Sequence, residues 1–166
     1  VMLRTAFLAI VLVFSLGNSA DEIGDLYDSG DYVAAVSAAR SASERGDPVA
    51  HAWLGRFYET GEGVTADAKT AAFHYDIAAR QGENYARWRL GVMIDSGTAE
   101  GSLEQAVAYF REAAADDYTN AMVSLAVMQA TGRGTPKDLN AALGNYMRAA
   151  RLGDSGGVRG VGVMFH

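Results

Sequence analysis

The sequence predicts an all-α protein, a solenoid of stacked antiparallel helix pairs, and three observations carry that prediction. Proline is scarce, with 2 among 166 residues, which favours helix. A pattern of about 36 residues occurs three times, with Leu54, Leu90 and Leu125 at equivalent positions. Within each unit the apolar residues recur at steps of three and four, the spacing of one helix face. A single helix pair cannot bury its apolar face alone, so successive units must stack.

The first twenty residues have the pattern of a secretory signal peptide. Arg4 provides a positive start, residues 6–16 form an apolar run, and small residues then precede an acidic stretch. We expect cleavage after Ala20 and a mature protein that is periplasmic or secreted, without stable membrane insertion. The alternative is an uncleaved N-terminal anchor, but the apolar run is short for a membrane span.

The repeat domain is predicted over residues 21–166. Its units cover residues 21–45, 46–81, 82–116 and 117–152, with a partial unit over 153–166. The first unit is shorter than the others and contains a tight "GDY" turn. The last is a glycine-rich half unit, whereas a solenoid normally ends in a polar capping helix. We therefore expect the sequence to be truncated at His166.

Helix boundaries can be predicted from capping residues. Asp47 is suited to be the N-cap of the first helix of its unit, which should end near Gly61. The second helix of that unit should begin at Asp67. In the next unit Ser102 takes the same place, and Gln105 completes an S-x-x-Q capping box. Each unit is thus predicted to be two short helices joined by a loop.

The stretch "GEGVTAD", residues 61–67, matches the loose dinucleotide-binding pattern G-x-G-x-x-[GA]. That fingerprint requires a strand before the glycines, whereas here a helix is predicted. Related stretches occupy the same turn in the later units, and a cofactor loop is not expected in every repeat. Gly61 and Gly63 are better explained as left-handed positions that turn the chain.

The residues "AHAWLGRFYETGEGVTADAKTAAFHYDIAARQG" resemble the Sel1-like repeat family, which is related to the tetratricopeptide repeats. The second unit departs from the pattern in its loop, "GTAEG", and has one residue fewer. The resemblance implies a right-handed superhelical solenoid that binds proteins, and exported bacterial members are typically adaptors or regulators of envelope signalling. The positions that carry it are Leu54, Gly55, Tyr58, Gly61, Gly63, Asp67, Ala71, Tyr75, Ala79, Gly82, Leu90 and Leu125.

In such two-helix repeats the first helix of each unit lines the concave face, which implies where a partner would bind. Counting from the leucine–glycine pair gives the predicted partner-binding residues Arg56, Glu59, Tyr85, Trp88, Val92, Asp95 and Val123. Tyr85 and Trp88 are three residues apart, so they share a helix face. Exposed aromatic residues with a nearby arginine are typical of a binding hot spot. The alternative is that Trp88 only packs between units.

The sequence offers little chemistry for catalysis or cofactor binding. There is no cysteine, and His51, His74 and His166 do not have the spacing of metal ligands. The net charge of -6, without basic runs, disfavours nucleic acid as a partner. We expect a non-enzymatic scaffold or adaptor with no cofactor or metal. The alternative is an envelope enzyme or a glycan- or β-lactam-binding protein, and the partner and oligomeric state stay open.

Overall fold

The computed structural model describes residues 19–165, and every regular element in that range is a helix. The helices are α1 (Ser19–Asp28), α2 (Tyr32–Glu44), α3 (Pro48–Thr60), α4 (Ala68–Arg80), α5 (Asn84–Asp95), α6 (Leu103–Ala115), α7 (Thr119–Thr131), α8 (Leu139–Arg151) and α9 (Ser155–Met164). The predicted signal peptide lies outside the described residues, except for its last two, which begin α1. His166 lies outside them as well.

The helices pack as consecutive antiparallel pairs. The pairs are α1–α2, α3–α4, α5–α6 and α7–α8, and α9 takes the place of a further first helix. Each second helix also packs against the first helix of the following pair. The predicted all-α solenoid is therefore confirmed.

The predicted capping residues begin and end the helices. The Asp47 side chain accepts from the backbone N–H of Val49 at 2.9 Å. Ser102 caps α6, and its capping box with Gln105 is formed in both directions. Gly61 ends α3 in the left-handed conformation, with a φ of 79°. The Asp47 and Ser102 N-caps each contribute about 1 kcal/mol to helix stability.

The second glycine of the "GEGVTAD" loop joins one unit to the preceding one. Gly63 has a φ of 73°, and a Cβ placed on it would lie 2.5 Å from the carbonyl oxygen of Tyr32. Gly134 approaches Leu103 in the same way in the third unit, at 2.5 Å. Only glycine allows this approach, since any side chain would collide with the start of the neighbouring helix. The loop is therefore a joint between units.

The core is a continuous row of small and large apolar side chains. The signature residues Leu54, Leu90, Leu125, Ala71, Tyr75 and Ala79 are all buried. Asp67 instead lies at the surface as the N-cap of α4, and Gly82 follows that helix with a φ of 93°. Tyr58 is half-buried and stacks on the ring of His74, with 5.7 Å between ring centroids. Alanines on the second helices let neighbouring helices approach closely, and the tyrosines and leucines fill the space between them.

Candidate functional site

The first helices of successive units form one continuous layer. Some Cα atoms of α3 lie within 8 Å of α1 and α5, and some of α7 lie within 8 Å of α5 and α9. In a curved solenoid, the layer in which helices approach one another is the inner one. We call the surface of α3, α5, α7 and α9 that points away from the second helices the concave face.

Contacts made by α5 show which of its residues lie on the concave face. The indole N–H of Trp88 donates to the Ser124 hydroxyl on α7 at 3.1 Å, so Trp88 points towards the next unit. The Arg89 guanidinium pairs with Glu59 on α3, so Arg89 points towards the preceding unit. Because successive helical residues are turned by about 100°, Val92 lies between these two directions. Its side chain is half-buried at the centre of the concave face.

A first pocket, of about 210 Å³, lies between α3 and α5 on this face. It is lined by Val49, Ala52, Trp53, Arg56, Glu83 and Tyr85. The Arg56 guanidinium is held over two rings, 4.2 Å from the centroid of Tyr27 and 5.2 Å from that of Trp53. It also donates to the Tyr27 hydroxyl at 2.7 Å. The cation is thus fixed in place by aromatic contacts worth about 0.5–1 kcal/mol each.

The Glu83 carboxylate in this pocket is engaged by the backbone of α5. It caps the helix by accepting from the N–H of Ala86, and burial raises its pKa. Ala52 is buried at the floor of the pocket. Its methyl group is too short to reach past the larger side chains around it.

The predicted aromatic pair is present and stands between the two pockets of the concave face. The ring centroids of Tyr85 and Trp88 are 6.0 Å apart and tilted by 56°. Tyr85 also meets Tyr75 edge to face at 6.0 Å, and Trp88 contacts Tyr118 at 6.0 Å. Both side chains are half-buried. The pair therefore packs between units and is also partly exposed at the surface.

A second pocket, of about 230 Å³, lies where α5, α7 and α9 meet. It is lined by Trp88, Asn120, Val123, Ser124, Asp154, Ser155, Gly156 and Arg159. Val123 is half-buried, as Val92 is. The two pockets follow one another along the inner layer, one on each side of Trp88.

The two predicted acidic residues connect neighbouring units. Glu59 pairs with Arg89 and also accepts from the Tyr75 hydroxyl at 2.9 Å. Asp95 pairs with Arg133 at 2.7 Å. Burial, followed by the nearby Tyr85 and Glu59, raises the pKa of Tyr75, so its hydroxyl stays a donor. These carboxylates hold the inner layer together, whereas the Arg56, Tyr85, Trp88 and Val123 side chains line the pockets.

Two histidines meet between α3 and α4, which their spacing in the sequence does not show. The Nδ1 atoms of His51 and His74 are 3.1 Å apart. Burial, with smaller contributions from His51 and Arg40, lowers the pKa of His74 to about 4. Burial also lowers the pKa of His51. The pair is therefore neutral at pH 7, with one ring donating to the other.

A cavity of about 540 Å³ lies in the outer layer, where α4 and α6 face the short loop of the middle unit. Asp76 in this cavity pairs with Arg80 at 2.8 Å and accepts from the Tyr109 hydroxyl at 3.4 Å. Ala99 stands where the other units have the joining glycines, Gly63 and Gly134. Counted from its first glycine to the N-cap of the second helix, this loop is also one residue shorter than the loops of the other two units.

The stacked helix pairs and the pocketed inner face define an α-solenoid of the helical-repeat class. The Sel1 repeat model matches residues 48–83, 84–118 and 119–154. The chain therefore belongs to the Sel1 repeat family, whose fold commonly serves as a protein–protein interaction scaffold. A search of curated proteins gave no significant match.

Solved structures share this fold. A Sel1 repeat protein from Oxalobacter formigenes is 28% identical with a TM-score of 0.81, over 89% of this chain and 59% of that one. A protective antigen of uropathogenic Escherichia coli with an SLR fold is 24% identical with a TM-score of 0.82, over 90% of this chain and 34% of that one. Cysteine-rich protein B of Helicobacter pylori is 16% identical with a TM-score of 0.56, over 86% of this chain and 96% of that one. The chain thus spans about three fifths and one third of the first two.

Within residues 19–165 no three histidine, aspartate, glutamate or cysteine side chains are grouped as metal ligands. None of the helices described there is both long enough and apolar enough to cross a bilayer.

Proposed function

We propose that this chain is an exported, non-enzymatic scaffold that binds an extended segment of a partner protein along its concave face. The observation that carries the proposal is the continuous inner layer with its two pockets, separated by the Tyr85–Trp88 pair. The family supports the proposal, since Sel1 repeats commonly serve in protein–protein interaction.

The size of the two pockets favours a protein partner. Sites for drug-sized ligands and cofactors usually measure about 300–1,000 Å³. At about 210 and 230 Å³, each concave pocket is smaller than that range. Two such pockets in a row suit successive side chains of one segment, with Trp88 as the anchor between them.

Export is proposed from the sequence of residues 1–20 alone. The positive start, the apolar run and the small residues before an acidic stretch support a cleaved signal peptide. Mass spectrometry of the mature N-terminus tests this point. A protein that begins at Asp21 in the envelope fraction supports export, and one that keeps residues 1–20 in the cytoplasm contradicts it.

Photo-crosslinking tests where the partner binds. A photoreactive amino acid replaces Val127 on the concave face, which is 41% exposed, or Val33 on the outer helix α2, which is 71% exposed. We expect one partner band from position 127 and none from position 33. Equal crosslinking from both positions would overturn the proposal.

Truncation of the anchor tests the role of Trp88. Trp88→Ala should lower the yield of the crosslink from position 127 at least several-fold, since it removes an aromatic wall of the second pocket. Circular dichroism and urea unfolding of the same variant show whether it is folded. A folded variant that crosslinks as well as the wild type would contradict the assignment.

Purified protein should also show no hydrolysis of peptidoglycan or β-lactams.

A further inference from the structure

One repeat position on the concave face carries a row of exposed apolar side chains. The equivalent residues are Arg56, Val92, Val127 and Val163, on α3, α5, α7 and α9. We call the last three the valine row. Val127 is 41% and Val163 is 76% exposed, and Val92 is half-buried. Val127 and Val163 leave much of their apolar surface in water, and Val92 packs against the core only in part, so their repetition suits a surface that is covered by something else.

The orientation of the row follows from contacts on both sides of it. On α5, Val92 lies between Trp88, which reaches forward to α7, and Arg89, which reaches back to α3. On α7, Ser124 receives the hydrogen bond from Trp88, and Val127 is one helical turn further along. Helix α7 carries no charged side chain along its length. The row is therefore an apolar strip across the centre of the concave face.

The spacing of the row selects the conformation of what can cover it. Axes of packed neighbouring helices are about 8–10 Å apart. A polyproline II segment has three residues per turn and rises about 3.1 Å per residue, so one of its faces recurs about every 9.3 Å. A β-strand presents the same face about every 6.7 Å, which falls out of step with the helices after one repeat. Of these two conformations, polyproline II is the one that puts one apolar side chain on each valine.

Arg56 occupies the equivalent position on α3 and places a positive charge at one end of the valine row. A partner segment that covers the row is therefore complementary if it carries a negative charge at that end. The Arg56 guanidinium carries five N–H donors and lies over the Tyr27 and Trp53 rings. It donates to the Tyr27 hydroxyl, which in turn donates to the Glu62 carboxylate.

In the described part of the chain Arg56 forms no ion pair, whereas Arg89 and Arg133 are each paired with a carboxylate. A guanidinium held still by aromatic rings is prepared for a carboxylate at little further cost in entropy.

We propose that the concave face recognises a polyproline II segment of the partner, with an apolar residue at every third position and a carboxylate at the end that meets Arg56. The inference rests on the proposed function and specifies its partner. Trp53 and Tyr85 beside Arg56 add the aromatic lining that favours such segments, which lose little conformational freedom on binding.

Labelled peptides test the spacing. The probe is the blocked decapeptide E-P-P-V-P-P-V-P-P-V, together with its reversed sequence, since the segment can run in either direction. The control, E-P-V-P-V-P-V-P-P-P, has the same composition, but its valines point in different directions. Fluorescence anisotropy with the purified protein should show at least about tenfold tighter binding of one probe than of the control. Equal affinities, or no binding of either probe, overturn the inference.

Three variants test the site. Val127→Asp should weaken probe binding at least about tenfold, whereas Val33→Asp, at an exposed valine of the outer layer, should not change it. Arg56→Met should weaken binding of the probe. It should not weaken binding of a second peptide in which glutamine replaces the glutamate of the probe. Unchanged binding by Val127→Asp overturns the inference. If the photo-crosslinks still map to the concave face, the scaffold proposal survives that failure, and it falls only if the crosslinks lie elsewhere.

Discussion

In α3 and α5, the glycine after the leucine sets how closely the second helix of the pair approaches. A Cβ on Gly55 would lie 2.5 Å from the Tyr75 ring, and one on Gly91 would lie 2.6 Å from the Phe110 ring. Gly162 occupies the same repeat position on α9, where a Cβ would meet nothing within 4 Å. At these equivalent positions, an added Cβ would collide with an aromatic ring on α3 and α5 but would meet nothing on α9.

Alanine substitution at these glycines tests this packing. Gly55→Ala should lower the free energy of unfolding by about 1–3 kcal/mol, because the Tyr75 ring must move out of a packed position. Gly162→Ala is the matched control and should be neutral or stabilising by up to about 1 kcal/mol, since alanine favours helix. Urea unfolding measures both values. Equal losses for the two variants would show that the ring contact does not matter.

At the scale of helices, the two histidines connect α3 to α4. His51 and His74 share a hydrogen bond, and the ring of His74 lies between Tyr58 and Phe73. Protonation of both rings would replace this hydrogen bond by repulsion between two cations. Arg40, which contacts Tyr58 at 3.1 Å, adds a further positive charge nearby, while Asp47 favours the charged form of His51.

The stability of the protein should therefore depend on pH through this pair. Folding lowers the pKa of His74 to about 4, from about 6.5 in the unfolded chain, so the unfolded state binds more protons between those values. The contribution is complete above pH 6.5 and is lost as the pH falls towards 4. For a half-exposed ring we expect on the order of 1 kcal/mol.

The contribution of His74 to the pH dependence of stability is measured by comparison with a variant that has no titratable side chain at position 74. Between pH 7 and 4.5 the wild type should lose more unfolding free energy in urea than His74→Gln does. The carboxylates are the same in both proteins, so their titration cancels in the difference. Parallel pH profiles for the two proteins would contradict the expectation.

Helix boundaries could be predicted because capping acts over a few residues. Asp47, Asp67 and Ser102 each accept from a backbone N–H two or three positions away, so the local sequence contains the whole interaction. The pairing of His51 with His74 could not be predicted in this way. Those residues are 23 positions apart, and only the docking of α3 on α4 brings them together.

The candidate site was predictable in outline but not in its contacts. Repeat register placed Arg56, Tyr85 and Trp88 on the inner layer, where the structure has them. Register does not show what each side chain touches. The Arg56 guanidinium donates to the Tyr27 hydroxyl of α1, and Glu59 forms an ion pair with Arg89, 30 residues later. Such contacts depend on the distance between units, which a pattern within one unit does not contain.

At the scale of the whole molecule, the main contacts between units in residues 19–165 join each unit to its neighbours. The links across the inner layer are Arg56 to Tyr27, Glu59 to Arg89, Trp88 to Ser124 and Asp95 to Arg133. Each link joins one unit to the next, so the stability of the solenoid is close to a sum of unit and interface terms. Removing one complete unit should then leave a shorter solenoid that still folds.

Deletion of residues 84–118 tests this view, since residues 81–83 would join α4 to α7 as they now join α4 to α5. The deletion removes about a quarter of the described chain, so the urea m-value should fall by about a quarter. Helicity per residue by circular dichroism should stay the same, and unfolding should stay cooperative at a lower midpoint. The control deletion of residues 103–118 removes only α6 and should abolish cooperative unfolding, because α5 loses the ring that packs on Gly91. If both deletions unfold the protein alike, the contacts between distant units matter more than those between neighbours.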